Sequence, residues 1–259
     1  MPRSFTYSAL ALRVKPSGES NREAWFLCAE AGLIRATVFG GAKSRLRSQV
    51  APFHEGKLLV YHEPVKDSRK VTDFDVQSWR PGIRELWERA MTAGALAETI
   101  LSSQGGGGNW PEALKLAASV LDTLNEANAE ACLSLAVYFL WNWAKILGIR
   151  PDLYHCASCF CEVNCNDTKE ILWYSGRKEA FFCEKCRGEP SVQIRAPGPD
   201  SLLRISPESR LWLTEIARIP PSALEELPLD AISLEQAKLL SQAVLAGAIG
   251  KRLATWDEI

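Results

Sequence analysis

Histidine is scarce in this chain. Three histidines in 259 residues, His54, His62 and His155, are spread over two distant regions, which leaves little material for imidazole-based catalysis or a histidine-rich metal centre. Neither G-x-S-x-G nor H-E-x-x-H occurs, so the nucleophile-elbow hydrolases and the zinc-helix proteases are excluded as readings. The one glycine run, Gly105 to Gly108, follows a helical pattern instead of a strand and lacks the Lys-Ser/Thr pair of a phosphate loop, so it reads as a flexible connector. Carboxylate pairs such as Asp73/Asp75 and Glu225/Glu226 read as solvated charges, and the sequence as a whole predicts a protein that is not an enzyme. No apolar stretch is long enough to cross a membrane and no signal-peptide pattern is present, so a cytoplasmic protein without membrane contact is expected.

Charge excess of either sign is also missing. Thirty Lys and Arg face thirty-one Asp and Glu, for a net charge of −1. The balance hides an asymmetry. Residues 1–80 hold thirteen basic and eight acidic side chains, a surplus of +5, and the remainder of the chain is therefore at −6. The N-terminal third is the electropositive end, where a polyanion would be met.

Against this sparse background eight cysteines stand out, because a cytosolic chain has little use for disulfides. Cys156 and Cys159 form one C-x-x-C pair, and Cys183 and Cys186 form a second after 23 intervening residues. Each such turn points two sulfurs at one centre, and two turns complete the tetrahedron of a structural Zn²⁺ site. Between them, Leu172-Trp173-Tyr174 and Ala180-Phe181-Phe182 flank a turn at 175–177 and predict a hairpin that delivers the second pair. His155, Cys161 and Cys165 are held in reserve as substitute ligands. A redox C-x-x-C would need a βαβ setting that is not evident here. Cys28 and Cys132 lie among apolar residues and are expected to be buried thiols.

Segments 5–14, 24–29, 33–39, 57–62 and 70–77 are rich in β-branched and aromatic residues and are separated by Gly- and Pro-bearing turns. Five short strands in about 75 residues predict a small closed barrel of the OB-fold type, a recurrent binder of single-stranded nucleic acid. After residue 80 the apolar period becomes helical, over 83–96, 110–124 and 129–147, and again over 206–219 and 233–253. The third helix is apolar nearly all round, so its Trp141 and Trp143 are expected in the core. The fold class is thus α+β and multidomain: a barrel domain at 1–80, a helical domain at 81–150 that resumes at 191–259, and a zinc-binding insert at 151–190.

One polar run rises above the background. Gly40-Gly41-Ala42-Lys43-Ser44-Arg45-Leu46-Arg47 sets three cations beside two glycines directly after a strand, where backbone and side chains can both approach a phosphate chain. Arg35 lies on the preceding strand, on one face with Thr37 and Phe39 by the period of two, and Lys57 begins the next strand. The competing reading is a solvated loop.

Segments 12–19, 30–44 and 49–53, with the Gly-Ala-Lys of residues 41–43 at their centre, resemble the N-terminal barrel of the RecO family of bacterial recombination mediators. Residues 138–141 and 147–152, running into Cys156-x-x-Cys159, are similar to the entry to that family's zinc region, and the order of parts matches over essentially the whole chain. The resemblance implies a non-enzymatic protein that binds single- and double-stranded DNA and anneals complementary strands. It implies engagement of the acidic tail of single-strand-binding protein, union with RecR, and help in loading RecA, all at the nucleoid. Lys43 and Arg35 fall on the family's basic positions, and Arg45, Arg47 and Lys57 follow by proximity; the four paired cysteines carry over as zinc ligands. Arg84, Arg89, Lys115 and Lys145 are helical cations that a tail can use. The runner-up is a zinc-stapled adaptor that binds only protein. A transcription regulator ranks third, for want of a basic recognition helix.

Overall fold

The computed structural model describes residues 3–40, 44–163, 171–186 and 202–259. It divides into two compact units, Met1–Glu126 and Ala127–Ile259. Lys43 and Cys165 lie outside the described residues.

The first unit is built on strands β1 (Ser4–Ser17), β2 (Asn21–Cys28), β3 (Gly32–Val38), β4 (Glu55–Glu63) and β5 (Ser68–Ser78). They close into a barrel in the order β1-β2-β3-β5-β4, with β3 and β5 parallel and the other pairs antiparallel. The expected OB-type barrel is present. Alternation explains it: Ala24, Phe26, Ile34, Ala36, Val38, Leu58, Val60, Val71 and Phe74 point inward and are buried together, while the residues between them face out. Closure needs one tight approach, where β4 bulges against β5. A Cβ on Gly56 would stand 1.9 Å from the Asp75 carbonyl oxygen, so only glycine fits there.

Between β3 and β4, where the sequence reads as a loop, a short helix α1 (Arg45–Gln49) is found. Leu46 and Val50 plug it into the barrel core. The carbonyls of Leu46 and Arg47 accept hydrogen bonds from Arg22 Nη2 at 3.2 and 3.0 Å, which fastens the short helix to β2.

Helices α2 (Trp87–Ser102) and α3 (Trp110–Glu126) complete this unit and pack on β1 and β2. The Gly105–Gly108 segment joining them differs from the connector the sequence suggested. Gly105 and Gly106 are buried, all four glycines have positive φ, and a Cβ on Gly105 would come within 3.2 Å of Leu33 Cβ. The run is glycine because the loop is folded against the barrel in a conformation other residues resist.

Arg80, which the sequence shows as part of a Trp-Arg-Pro-Gly junction, is buried in a left-handed conformation. Its guanidinium bonds Asp122 of α3 at 2.7 Å, Glu55 of β4 at 2.5 Å and the Phe53 carbonyl oxygen at 2.9 Å. One side chain thus ties the barrel rim to the helices.

The second unit holds α4 (Ala129–Ile146), the strands β6 (Leu172–Ser175), β7 (Ala180–Cys183) and β8 (Leu202–Ile205), and helices α5 (Pro207–Glu215) and α6 (Ala231–Ile249). Asn128 caps α4 through the Ala131 amide, and Asp230 caps α6 through the amides of Ile232 and Ser233. Helix α4 is buried on nearly every side, Trp141 and Trp143 included, as its apolar pattern predicts. The hairpin β6-β7 is where the sequence places it; β8, four residues long, joins it as a third strand and packs on α6.

Among the described residues no helix is long and apolar enough to cross a membrane.

Candidate metal centre and nucleic-acid interface

The first constellation is the cysteine group. Cys156 and Cys159 occupy one turn, closed by the Phe160 amide on the Cys156 carbonyl at 2.9 Å, with Phe160 itself at φ 57°. Cys183 ends β7, and the Cys186 amide returns to the Cys183 carbonyl at 3.0 Å to make the second turn. The Ala157 amide donates to the Phe181 carbonyl at 2.8 Å, so strand β7 fastens one turn to the other. The sulfurs of Cys156, Cys159, Cys183 and Cys186 all lie within 4.8 Å of one another, and those of Cys159 and Cys183 are 3.8 Å apart. This group can hold a metal ion.

Its electrostatics suit a cation. Burial pushes the Cys156 thiol up, but the amides of Cys159, Cys183 and Ser158 outweigh it and bring it down to about 6. The neighbouring sulfurs of Cys159 and Cys183 push Cys186 up to about 12. Four thiolates cannot share this space unless a positive charge stands among them. Of the reserve ligands, Cys161 lies outside the group of four, and its thiol is pushed up to about 12, first by the Cys159 sulfur. His155 turns its Nδ1 to Asp152 Oδ2 at 2.7 Å. Cys28 and Cys132 are buried, as expected.

Arg210, a residue the sequence does not single out, braces the first turn. It is fully buried on α5, and its Nη2 donates to the carbonyls of Leu153 and Val163 at 3.1 and 2.6 Å, on either side of the turn. Its sequence signal is only an arginine at the second turn of an amphipathic helix.

The second constellation is the barrel wall. Arg35 sits on the outer face of β3, two-thirds exposed and paired with Glu23 of β2 at 3.2 Å. Arg45 and Arg47 are exposed on α1. Lys57 is separated from them: on β4 it lies opposite Ser8 and Asp75 and donates to Ser8 Oγ at 2.9 Å, so β5 stands between it and β3 on one side, and β1 and β2 on the other. The barrel brings Arg35 a different set of neighbours. Arg13 on β1, Trp25 on β2 and Arg35 form one row across three strands, and Lys15 reaches diagonally over the Trp25 ring at 5.9 Å. On the other side Lys70 of β5, opposite Thr37, lies 5.4 Å over the ring of Phe39. Arg13, Lys15, Trp25 and Lys70 are missed by a reading of nearby residues, since only strand register aligns them.

The helical cations also separate by role. Arg89 is committed to the carbonyls of Gly82 and Asn125, and Arg84 leans on the Pro52 carbonyl. Lys115 is exposed on α3. Lys145 lines a pocket of about 460 Å³ with Trp141, Arg150, Leu213 and Arg218. The Arg150 guanidinium lies 5.7 Å from the Trp141 ring centroid, burial lowers its pKa, and its Nη1 has no hydrogen-bond partner among the described residues.

Two family models match this chain: Recombination protein O N terminal over residues 1–77, which is the barrel, and Recombination protein O C terminal over residues 84–257. The chain belongs to the RecO family. Relatives named DNA repair protein RecO include those of Geobacter metallireducens, 27% identical over 181 residues (69% of this chain and 70% of that protein), and Desulfitobacterium hafniense, 28% identical over 187 residues (71% and 64%). The RecO of a Synechococcus species is 25% identical over 194 residues, covering 71% of this chain and 63% of that protein. The match thus spans less than two thirds of the length of the Synechococcus and Desulfitobacterium proteins.

Proposed function

We propose that this RecO-family chain is a DNA-binding recombination mediator of DNA repair, cytoplasmic and associated with the nucleoid, and that it works without catalytic residues. The barrel of residues 1–80 carries the strand-binding surface, the helical domain spans 81–150 and 191–259, and residues 151–190 form the zinc insert. One observation carries the reading: Arg13, Lys15, Arg35 and Lys70 lie on adjacent strands of a closed OB-type barrel, and Arg45 and Arg47 are exposed on α1, which Arg22 of β2 holds through the Leu46 and Arg47 carbonyls. Annealing requires two polyanions to approach, and a surface that neutralises phosphates without gripping base edges lowers their repulsion and leaves the bases free to pair. Arg35, Lys43, Arg45 and Arg47 serve that surface for single- and double-stranded DNA. Lys57, set among Ser8, Asp75 and the rest of β4, belongs to its margin.

Zinc is the ion that fits the cysteine group. Four thiolates at about 2.3 Å from a central Zn²⁺ stand about 3.8 Å apart, the separation seen between the Cys159 and Cys183 sulfurs. With four sulfur ligands no position is left open for substrate, so the ion holds shape.

The pocket over Trp141 supports the partner side of the reading. Three cations, Lys145, Arg150 and Arg218, outnumber the one carboxylate, Asp152, around Trp141, Leu213 and Ala217, with Arg218 also paired to Glu215 at 3.3 Å, a balance that suits the acidic, aromatic-ended tail of single-strand-binding protein. Union with RecR then helps load RecA where this protein holds both strand and tail. A peptide of that chemistry is expected to bind in fluorescence anisotropy, and Lys145→Ala with Arg218→Ala to weaken it at least tenfold. Unchanged affinity would move the tail to another surface.

The function itself is tested by titrating labelled single-stranded DNA with wild type and with Lys43→Ala/Arg45→Ala/Arg47→Ala at several salt concentrations. Wild-type affinity is expected to fall with salt, and the triple variant to bind more weakly with a slope smaller by about 2, at about 0.7 per lost phosphate contact. A folded wild type that ignores DNA at low salt would leave the zinc-stapled protein adaptor as the better reading.

A further inference from the structure

Two features of the barrel's outer face go beyond phosphate neutralisation. Two rings on it lie beneath a lysine: the half-buried Trp25 beneath Lys15 at 5.9 Å, and Phe39, 45% exposed just past the end of β3, beneath Lys70 at 5.4 Å. Trp25 is also flanked in register by Arg13 and Arg35 on the neighbouring strands. Phosphate binding alone needs no rings in these places.

We propose that Trp25 and Phe39 are two base-stacking platforms, which add a preference for unpaired strand to a face whose cations bind single and double strands alike. The proposal rests on the DNA-binding reading above and names the substrate class of that same surface.

The chemistry follows from the neighbours. A base stacks on a tryptophan or phenylalanine face regardless of its identity, and the adjacent arginines and lysines meet the phosphates on either side. In the free protein the ammonium groups occupy the ring faces. An exposed cation–π contact is the weaker of the two interactions, so an arriving base displaces the lysine, which is long enough to follow the phosphate. Spacing sets which bases are used. Phe39 lies four residues beyond Arg35, the partner of Trp25, which puts the two backbone positions about 13 Å apart along the chain direction of β3. Stacked bases rise about 3.4 Å per step, so the platforms take non-adjacent bases of a strand laid across β2, β3 and β5. A duplex cannot offer them. Its bases are paired and stacked inside, out of reach of a ring that lies on a barrel wall.

The position of Glu23 adds a sign. Its carboxylate holds Arg35 at 3.2 Å and is the acidic group that faces outward in register between Lys15 and Thr37. It competes with phosphate for Arg35, which keeps the face from clamping its strand. On the β4 side of the barrel Lys57 faces Asp75, with Asp73 exposed two residues along β5.

The test compares a labelled oligothymidine with a duplex of equal length, titrated with wild type, Trp25→Ala, Trp25→Phe, Phe39→Ala and Glu23→Gln, each shown folded by its thermal melt. Trp25→Ala and Phe39→Ala are each expected to weaken single-strand binding about tenfold while leaving the salt slope unchanged, because stacking releases no counterions. Duplex binding should stay within about twofold of wild type. Trp25→Phe should keep most of the affinity, which separates a stacking face from a lost packing contact, and Glu23→Gln should bind a few-fold more tightly. Equal losses on single strand and duplex, or no loss at all, overturn the platforms while leaving the barrel a DNA binder. Wild type that binds neither DNA overturns the functional reading and the platforms with it.

Discussion

Arg80→Met is expected to lower the unfolding free energy by about 3 kcal/mol, the low end of what breaking a buried ion pair does, because Asp122 remains partly in water. The side chain is 2% exposed and holds groups from three parts of the first unit: Glu55 of β4, the Phe53 carbonyl before it, and Asp122 of α3. Methionine fills similar volume but leaves two carboxylates facing a pocket without their cation. Restoring neutrality with Glu55→Gln and Asp122→Asn in the same chain should recover part of the loss, since the cost lies in the orphaned charges more than in missing contact. The backbone adds a second handle. At φ 45° residue 80 is in the left-handed region, so Arg80→Gly should be less damaging than Arg80→Ala, although both lose the guanidinium. Urea melts read all of this directly: the midpoint should fall while its slope is unchanged. A midpoint shift worth less than about 0.5 kcal/mol would mean that Arg80 behaves as a surface pair.

That such a residue reads in sequence as part of a junction shows where legibility ends. The five barrel strands are legible because β-branched and aromatic residues gather in short runs between Gly- and Pro-bearing turns, with inward and outward residues alternating cleanly in β3, a signal local to a few residues. Burial of Arg80 depends on Asp122, 42 residues away, and nothing local to Trp79-Arg80-Pro81 announces it. Helix α1 is hidden for a different reason. Five residues are too few to show a period, and two of them are the exposed arginines that suggested a loop. Strand β8 is as short, and it exists because the hairpin β6-β7 offers an edge to pair with. The buried glycine loop reads as a connector because glycine signals permitted conformations without saying whether the backbone is packed.

The candidate sites divide along the same line. The cysteine group is legible because each turn fixes its own two sulfurs, and the hairpin between them has a local signature of its own. The barrel surface is half legible. Arg45 and Arg47 are sequence neighbours and stay together, whereas Lys57, placed with them by proximity along the chain, is turned onto another part of the wall by the strand order. Arg13, Trp25 and Arg35 are ten to twelve residues apart and meet only through the β1-β2-β3 register, which includes a bulge between Ala11 and Arg13. Alternation tells which side a residue faces; pairing tells what it faces with.

The other large effect is expected at the cysteines. As purified, the chain should carry one zinc per molecule, and Cys183→Ser should abolish it and unfold the segment the two turns enclose, since apparent zinc-binding energies of about 10–16 kcal/mol in small sites are folding energies. Cys183 is the more informative choice of the four because it also ends β7 opposite Leu172, so losing its sulfur loosens the hairpin along with the ion. Cys161→Ser is the matched control. It changes a thiol two residues from a ligand but outside the group of four, and it should keep both metal content and melting temperature. Chelation of the wild type should reproduce the Cys183→Ser melt, and re-addition of zinc should restore the wild type but leave the variant unaltered. Should Cys161→Ser lose the metal while Cys183→Ser retains it, the ligand set is wrong. Should both variants keep their melting temperatures after the ion is removed, the ion is a passenger, and the hairpin with its bracing Arg210 holds the turns unaided.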